Sequence, residues 1–136
     1  MKTIISICIA LFFTFVCACE RVEENYLSEN VEYAAAQYDL LIEKLEKNGK
    51  PWAPRTVDTK GNIVYARNVW DWTSGFFAGS LWYLYNLTGD EKWKTLAKKY
   101  TEALKQQQYI TSHHDIGFII GCSYLNGMRM GQEAYD

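Results

Sequence analysis

One stretch of this chain occurs twice, and equivalent positions in the two copies lie 42 residues apart. The first copy contains DWTSGFFAG over residues 71–79, and the second contains HHDIGFIIG over residues 113–121. The matching pairs are Gly75 with Gly117, Phe76 with Phe118, Gly79 with Gly121, Gly89 with Gly131, Glu91 with Glu133 and Trp93 with Tyr135. A repeat with a period of about 20–50 residues indicates stacked supersecondary units, which here are predicted to be helix pairs.

Two kinds of helix alternate along this repeat. Residues 73–87 carry no charge and residues 116–130 carry none before Arg129, so both segments predict helices that are buried on nearly every side. Residues 91–107 and residues 29–47 instead place lysines and glutamates opposite an apolar stripe, which predicts surface helices. Inner helices enclosed by outer ones make a double ring. The sequence therefore predicts an all-α fold that is part of an (α/α)6 barrel, in which six such pairs would need roughly 250 residues.

Two glycines mark the face of the first inner helix on which close packing is expected. Gly75 and Gly79 lie four residues apart, and each costs ~1 kcal/mol in a helix interior, so the close approach of a neighbouring helix explains them better than chance. Residues 49–71 contain two prolines and no periodicity, and they predict a long loop with a turn at 58–62 and a short extended piece at 63–65. A further helix is expected to begin at Gln132.

The N-terminus predicts export. Lys2 precedes an apolar run that is too short for a membrane span of ~20 residues, so residues 1–18 are interpreted as a cleaved export signal. Cys19 follows a small residue, as in bacterial lipoproteins, and we expect it to be the acylated first residue of the mature protein. The alternative is cleavage without acylation. Residues 19–28 are then a tether, residues 29–136 form the domain, and the protein is expected in the periplasm or as an outer-membrane lipoprotein of a bacterium.

Charge and cysteine content exclude several classes of function. The net charge is −2 and the lysines are scattered, so no basic face for nucleic acid is predicted. The only contact with a membrane is expected through the lipid anchor. Of the four cysteines, only Cys122 lies within residues 29–136, which excludes an internal disulfide there. Cys122 sits in an apolar helical run and is interpreted as a small buried hydrophobic residue.

Helix polarity brings the two copies of the repeat together. If inner and outer helices alternate, successive inner helices run parallel, and the loops before Thr73 and Ile116 emerge at the same mouth of the barrel. The sequence therefore predicts that Asp71-Trp72 and His113-His114-Asp115 share one pocket.

Each of these residues has an ordinary structural interpretation as well as a functional one. Asp115 fits an N-cap whose carboxylate accepts a hydrogen bond from the amide of Gly117 or Phe118, and it also fits a carboxylate for acid–base or nucleophilic chemistry. Trp72 could stack on a sugar ring or cover the core beneath the loop. A zinc site at His113 and His114 is disfavoured, because adjacent side chains rarely reach one metal and a catalytic zinc needs three protein ligands. No metal and no cofactor are expected.

These motifs resemble a known family. The runs DWTSGFFAG at 71–79, LW at 81–82, TGDE at 88–91 and, most specifically, HHDIGF at 113–118 are similar to those of the unsaturated glucuronyl hydrolases, glycoside hydrolase family 88. The resemblance covers about residues 29–136. It implies an α6/α6 barrel and an enzyme that removes the 4,5-unsaturated uronic acid from the non-reducing end of oligosaccharides left by polysaccharide lyases.

The resemblance also implies a mechanism and roles for individual residues. A carboxylic acid protonates C4 of the double bond, water adds at C5, and the hemiketal opens to release the remaining sugar. Asp115 matches the first of two catalytic aspartates, Trp72 lies against the unsaturated ring, and His114 neighbours the site. The second aspartate, the proton donor, is expected beyond Asp136, so the chain is interpreted as an N-terminal fragment that is inactive alone.

Two alternatives stay open at the level of the sequence. The unsaturated rhamnogalacturonyl hydrolases share the barrel and the chemistry but generally lack the His-His-Asp run. A lipid-anchored helical protein that binds glycans without chemistry is the alternative from another class of function.

Overall fold

The computed structural model describes residues 25–50, 52–66, 71–112, 114–133 and 135. The chain divides into two compact units, of which the first ends at Tyr38 and the second spans Asp39–Asp136. Within the first unit, the described residues 25–38 are helical and leave Tyr26, Leu27 and Tyr33 exposed. They belong to a helix, α1, that covers residues 25–46.

Helix α1 begins earlier than the sequence analysis predicts. Residues 25–28, which were assigned to the tether, are helical, and the Ser28 hydroxyl donates a hydrogen bond to the Asn25 carbonyl oxygen at 3.1 Å. No proline or glycine interrupts this segment, so nothing in it prevents the helix from extending. The export signal at 1–18, Cys19 and the rest of the tether lie outside the described residues.

The predicted long loop contains a β-hairpin. Strand β1, Pro54–Val57, pairs antiparallel with strand β2, Ile63–Tyr65, so the extended piece at 63–65 is confirmed and β1 is additional. The carboxylate of Asp58 closes the connecting turn by accepting hydrogen bonds from the amides of Lys60 and Asn62, both at 2.8 Å. Such an Asx turn lets a short polar segment reverse the chain.

Helices α2, Ser74–Thr88, and α3, Glu91–Glu102, form the first helix pair. Gly89 ends α2 in a left-handed conformation, with φ at 67°, and the Asp90 carboxylate caps α3 by accepting from the Lys92 amide at 2.9 Å. The two helices are joined in the core by a hydrogen bond of 3.0 Å from the indole of Trp82, which is fully buried, to the Thr101 hydroxyl. The edge-to-face stacking of Phe77 on Tyr100 adds an apolar contact between the same two helices.

The amphipathic prediction for α3 is confirmed, although the α-helix is shorter than predicted. Its buried side carries Trp93, Ala97, Tyr100 and Thr101, and its lysines lie on the other side. At Leu104 the backbone leaves the α region, and residues Lys105–Tyr109 continue as a 3-10 helix that buries Gln107.

The second inner helix is continuous but changes its winding. Helix α4, Ile116–Ile120, passes into a π-helical turn, Gly121–Leu125, and then into α5, Asn126–Met130. Within this run, the buried Ser123 hydroxyl donates to the Ile119 carbonyl oxygen at 2.6 Å, and the Asn126 side-chain amide donates to the Cys122 carbonyl oxygen at 3.0 Å. Side chains therefore satisfy carbonyl groups at the place where the regular helical pattern is interrupted.

The two inner helices run parallel, as predicted, and their glycines explain how closely they pack. A Cβ atom on Gly75 would lie 2.6 Å from the Phe118 carbonyl oxygen, and one on Gly79 would lie 2.7 Å from that of Cys122. Further along, Trp82 lies against Gly127, where a Cβ would come within 3.0 Å of its ring. Residue numbers therefore increase in the same direction along α2 and along residues 116–130 at the contacts between them. The two helices thus begin at the same end.

Both inner helices keep one apolar face exposed, in contrast to the prediction that they are buried on nearly every side. We call this the open apolar face, and it consists of Phe76, Tyr83 and Leu87 on α2 and Phe118, Leu125 and Met128 on 116–130. No element in the described part of the chain covers it. The apolar residues of both helices are therefore buried only on the sides that pack against each other and against α3.

The helix expected from Gln132 is not seen in the described residues. Residues 131–133 are not helical, and Gln132 has a φ of 53°, which is uncommon for a residue other than glycine. Nowhere in the described ranges does a helix have both the length and the hydropathy needed to cross a bilayer.

Candidate active site

The shared mouth predicted for the two inner helices is occupied by an aromatic cluster. The ring centroids of Trp72, Phe76 and Phe118 lie 5.6 to 6.0 Å from one another, which is within the range that aromatic pairs prefer. All three side chains are exposed, with 43% of Trp72, 38% of Phe76 and 49% of Phe118 accessible. We call these three residues the aromatic cluster, and they offer apolar ring area on the surface at the end where both helices begin.

Asp115 lies at the first turn of α4 and immediately precedes the helix that carries Phe118. Its side chain is half-buried, with 30% exposed, and one carboxylate oxygen lies 3.3 Å from Nε2 of His114. His114 itself is almost fully exposed, at 94%. His113, the other member of the predicted pair, lies outside the described residues.

The carboxylate of Asp115 does not cap the helix. The Phe118 amide donates to the backbone carbonyl oxygen of Asp115 at 2.9 Å, and the side chain makes no capping hydrogen bond. The N-cap interpretation of Asp115 is therefore wrong in its predicted form, because the backbone of Asp115 itself lies in the right-handed helical region, with φ at −73° and ψ at −3°, whereas a capping residue usually has an extended backbone. The carboxylate is left available for other partners.

A second carboxylate at this end does hold the backbone of its helix. The Asp71 side chain, 8% exposed, accepts hydrogen bonds from the amide of Thr73 at 3.1 Å and from its hydroxyl at 2.5 Å. Its other oxygen forms an ion pair of 3.3 Å with the guanidinium of Arg55 on β1. The turn that carries Trp72 and leads into α2 is thus tied to the β-hairpin.

The structure places Trp72 against Phe118, on the helix that begins directly after Asp115. The described residues do not enclose the predicted pocket there. Two depressions lie elsewhere on the described part of the chain. One of about 330 Å³ is lined by Tyr124, Tyr135 and Glu102, and one of about 650 Å³ lies between the end of α1 and α3. The mouth at Trp72 and Asp115 is therefore an exposed surface in this chain.

The described residues do not assemble a metal centre or an activated thiol. Within the described ranges, no group of three or more His, Cys, Asp or Glu side chains is placed to hold a metal ion. Cys122 is a half-buried free cysteine, and burial raises the pKa of its thiol, so it stays protonated at neutral pH.

Known proteins with similar sequences include two that are named unsaturated glucuronyl hydrolase. No protein-family model matches the chain. The chain is 29% identical, over 137 aligned residues, to an unsaturated glucuronyl hydrolase of Formosa agariphila, in a match that covers 95% of this chain and 34% of that protein. It is 36% identical over 74 residues to an unsaturated glucuronyl hydrolase of a Bacillus species, which covers 52% of this chain and 19% of the relative.

A solved structure agrees with these relatives. The crystal structure of an unsaturated glucuronyl hydrolase specific for heparin is 42% identical to this chain, with a TM-score of 0.58, over 61% of this chain and 22% of that one. The chain is therefore similar, over part of their length, to proteins named unsaturated glucuronyl hydrolase. The predicted fold class, all-α and part of an α/α barrel, is confirmed. The chain spans about a third of the length of the Formosa relative and about a fifth of the lengths of the Bacillus relative and the solved structure.

The sequence alone does not assign a role to several residues of this candidate site. Phe76 and Phe118 complete the aromatic cluster around Trp72. The sequence contains a feature that could have identified them, because they are equivalent positions of the 42-residue repeat. Asp71 stands beside Trp72 in the motif itself. No comparable sequence feature identifies Arg55, since it contacts Asp71 only once the hairpin has folded.

Proposed function

We propose that the complete protein is a glycoside hydrolase that removes the 4,5-unsaturated uronic acid from the non-reducing end of lyase-generated oligosaccharides by hydrating the double bond. The observation that carries this proposal is the packing of Trp72 on Phe118, one turn after Asp115, at the shared start of the two inner helices. The similarity of the chain to proteins named unsaturated glucuronyl hydrolase supports the same reaction class.

The proposed reaction consumes one water molecule. A carboxylic acid donates its proton to C4, the oxygen of water bonds to C5, and a carboxylate accepts the proton that water loses. The resulting hemiketal opens by cleavage of the bond between C5 and the ring oxygen, and the hemiacetal left at C1 releases the remaining sugar. Two carboxyl groups of the enzyme, placed beside the substrate, are suited to this acid–base work, and we assign Asp115 to the assisting carboxylate of the pair.

The geometry around Asp115 supports that assignment. A half-buried carboxylate that makes no capping hydrogen bond keeps its oxygens available for water or substrate. His114 lies within 3.3 Å and offers a polar partner that keeps the carboxylate oriented. The exposed ring of Trp72 gives the apolar face of a sugar a surface on which to pack.

We further propose that the substrates include heparin-derived oligosaccharides, since the 42% identical solved structure is that of an enzyme specific for heparin. The test is the loss of ultraviolet absorbance of the conjugated double bond when the complete gene product meets an unsaturated heparin disaccharide. Loss with this substrate, and none with a saturated disaccharide, supports the proposal. Binding without loss of absorbance would indicate a glycan-binding protein, and preferential cleavage of an unsaturated rhamnogalacturonan disaccharide would indicate the related hydrolases.

We also propose that the protein is exported and anchored by a lipid on Cys19, in the periplasm or at the outer membrane of a bacterium. The apolar run that ends at Ala18 and the polar residues that follow Cys19 support this location. An anchored enzyme would act on oligosaccharides that are taken up or released at the cell surface.

A further inference from the structure

We propose that Asp71 and Arg55 form a positioning pair that holds Trp72 in its substrate-binding orientation. The role deepens the proposed function, because it rests on Trp72 packing against the unsaturated sugar. Asp71 and Arg55 need not touch the substrate themselves. Their effect is exerted through the backbone on either side of Trp72.

The Asp71 carboxylate spans Trp72 along the chain. One of its oxygens accepts hydrogen bonds from both the amide and the hydroxyl of Thr73, at 3.1 and 2.5 Å, and the backbone carbonyl of Asp71 accepts from the Ser74 amide at 3.0 Å. The residues before and after Trp72 are therefore fixed to each other. The direction in which the indole leaves the backbone is set by this closed turn.

The ring of Trp72 needs such support. It is 43% exposed, and its aromatic partners Phe76 and Phe118 are themselves exposed, so no buried side chain within the aromatic cluster encloses it. Contacts with two exposed rings restrict the rotamers of a large side chain less than full burial does. The closed turn at Asp71 supplies the missing constraint.

Arg55 completes the arrangement from the hairpin. The Asp71 side chain is 8% exposed, and a buried carboxylate is costly unless it is paired and hydrogen-bonded. The Arg55 guanidinium supplies the counter-charge at 3.3 Å while remaining 51% exposed. Removal of Arg55 is therefore expected to loosen the turn at Asp71, and with it Trp72, without removing any group from the aromatic cluster.

The test compares four variants in the complete gene product: Asp71→Ala, Asp71→Asn, Arg55→Gln and Arg55→Lys. Asp39→Asn is the matched control, because Asp39 also pairs with a basic side chain, Lys92 at 3.0 Å, away from the site. One readout is the fluorine NMR signal of 5-fluorotryptophan at Trp72, assigned with Trp72→Phe. The other is KM and kcat for the unsaturated heparin disaccharide.

We expect Asp71→Ala and Arg55→Gln to broaden and shift the Trp72 signal and to raise KM about tenfold with kcat changed less than twofold, as for loss of substrate positioning in the ground state. Arg55→Lys and Asp39→Asn should behave like the unchanged protein, and Asp71→Asn should fall between. If Asp71→Ala does not fold, Arg55→Gln carries the same comparison.

An unchanged Trp72 signal in folded Asp71→Ala and Arg55→Gln overturns the proposal, and so does a mobile ring with an unchanged KM. If the unchanged protein cleaves no unsaturated disaccharide, the proposed function fails. The NMR comparison then still decides whether Asp71 and Arg55 hold Trp72, so the two failures are distinguishable.

Discussion

The indole ring of Trp72 lies 5.9 Å, centroid to centroid, from the phenyl ring of Phe118, one helical turn after Asp115. The two aromatic residues belong to different copies of the 42-residue repeat, and they meet because both inner helices begin at the same end. The contact thus links the periodicity of the sequence to the candidate active site. It also places the predicted sugar-binding ring beside the helix of the predicted catalytic carboxylate.

The close approach of the inner helices predicts unequal effects for two equivalent glycines. Gly75→Ala should lower the free energy of unfolding by about 1–3 kcal/mol, because the added methyl group meets the Phe118 and Ile119 backbone. Gly117→Ala is the matched control, since a Cβ there meets nothing within 4 Å, and it should stabilise by up to ~1 kcal/mol through helix propensity. Urea unfolding followed by circular dichroism checks both, and equal effects would contradict the packing described.

The open apolar face predicts self-association of the 136-residue chain. Exposed contiguous apolar surface favours contacts between molecules, and Tyr83 and Leu125 are 51% and 39% exposed on this face. The double substitution Tyr83→Lys with Leu125→Lys should increase the monomeric fraction in analytical ultracentrifugation. Tyr109→Lys is the control, because Tyr109 is 69% exposed on the 3-10 helix instead. A chain that is already monomeric at micromolar concentration would contradict the prediction.

The ion pairs of Glu133 predict a loss of stability in acid. Hydrogen bonds from Lys98 and Lys94 hold the pKa of Glu133 below its usual value of 4.5. A carboxylate with a lowered pKa in the folded state stabilises the fold above the unfolded pKa, and this contribution is lost as pH falls through the folded value. The urea midpoint should therefore fall as pH drops below about 4.5, and Glu133→Gln should reduce that fall.

Lys98→Gln tests the contribution of Glu133 to acid sensitivity by changing its basic partner instead. It removes the shorter of the two ion pairs, 2.8 Å against 3.4 Å, and should reduce the acid-dependent fall as Glu133→Gln does. If both variants show the same pH dependence as the unchanged chain, Glu133 does not contribute to acid sensitivity.

The proposed acylation of Cys19 can be tested by metabolic labelling. In the bacterial host, the protein should incorporate an alkyne analogue of palmitate and partition with membranes, and Cys19→Ser should abolish both. Cys17→Ser is the control and should retain the label. An unlabelled mature protein in the soluble fraction would instead support cleavage without acylation.

The elements that follow from local chemistry were predictable from the sequence. The helices at 74–88 and 116–130 lie within one residue of their predicted bounds, and the Gly75–Gly79 face packs closely as expected. The end of α2 at Gly89 and the N-cap of α3 at Asp90 were also predictable from the sequence, because each depends on neighbouring backbone groups.

The features that depend on distant residues were not predictable. Strand β1 has little pattern of its own and exists because it pairs with β2, and the Arg55–Asp71 ion pair needs the folded hairpin. The failed cap at Asp115 depends on a backbone that is already helical at that residue, which residue type alone does not reveal. The exposed face of each inner helix depends on what else packs there, which hydrophobicity along one helix cannot specify.

The substitution Asp115→Asn tests the central claim most directly. In the complete gene product, turnover of an unsaturated disaccharide should fall by at least ~10²-fold, because the positioned carboxylate can no longer accept a proton. Stability should change by about 1 kcal/mol or less, since the Asp115 side chain makes no capping bond and its neighbour His114 is exposed. The measurement is the loss of ultraviolet absorbance of the conjugated double bond, with the melting temperature recorded in parallel. A folded Asp115→Asn variant with near-normal turnover would contradict the assignment of Asp115 as the catalytic carboxylate.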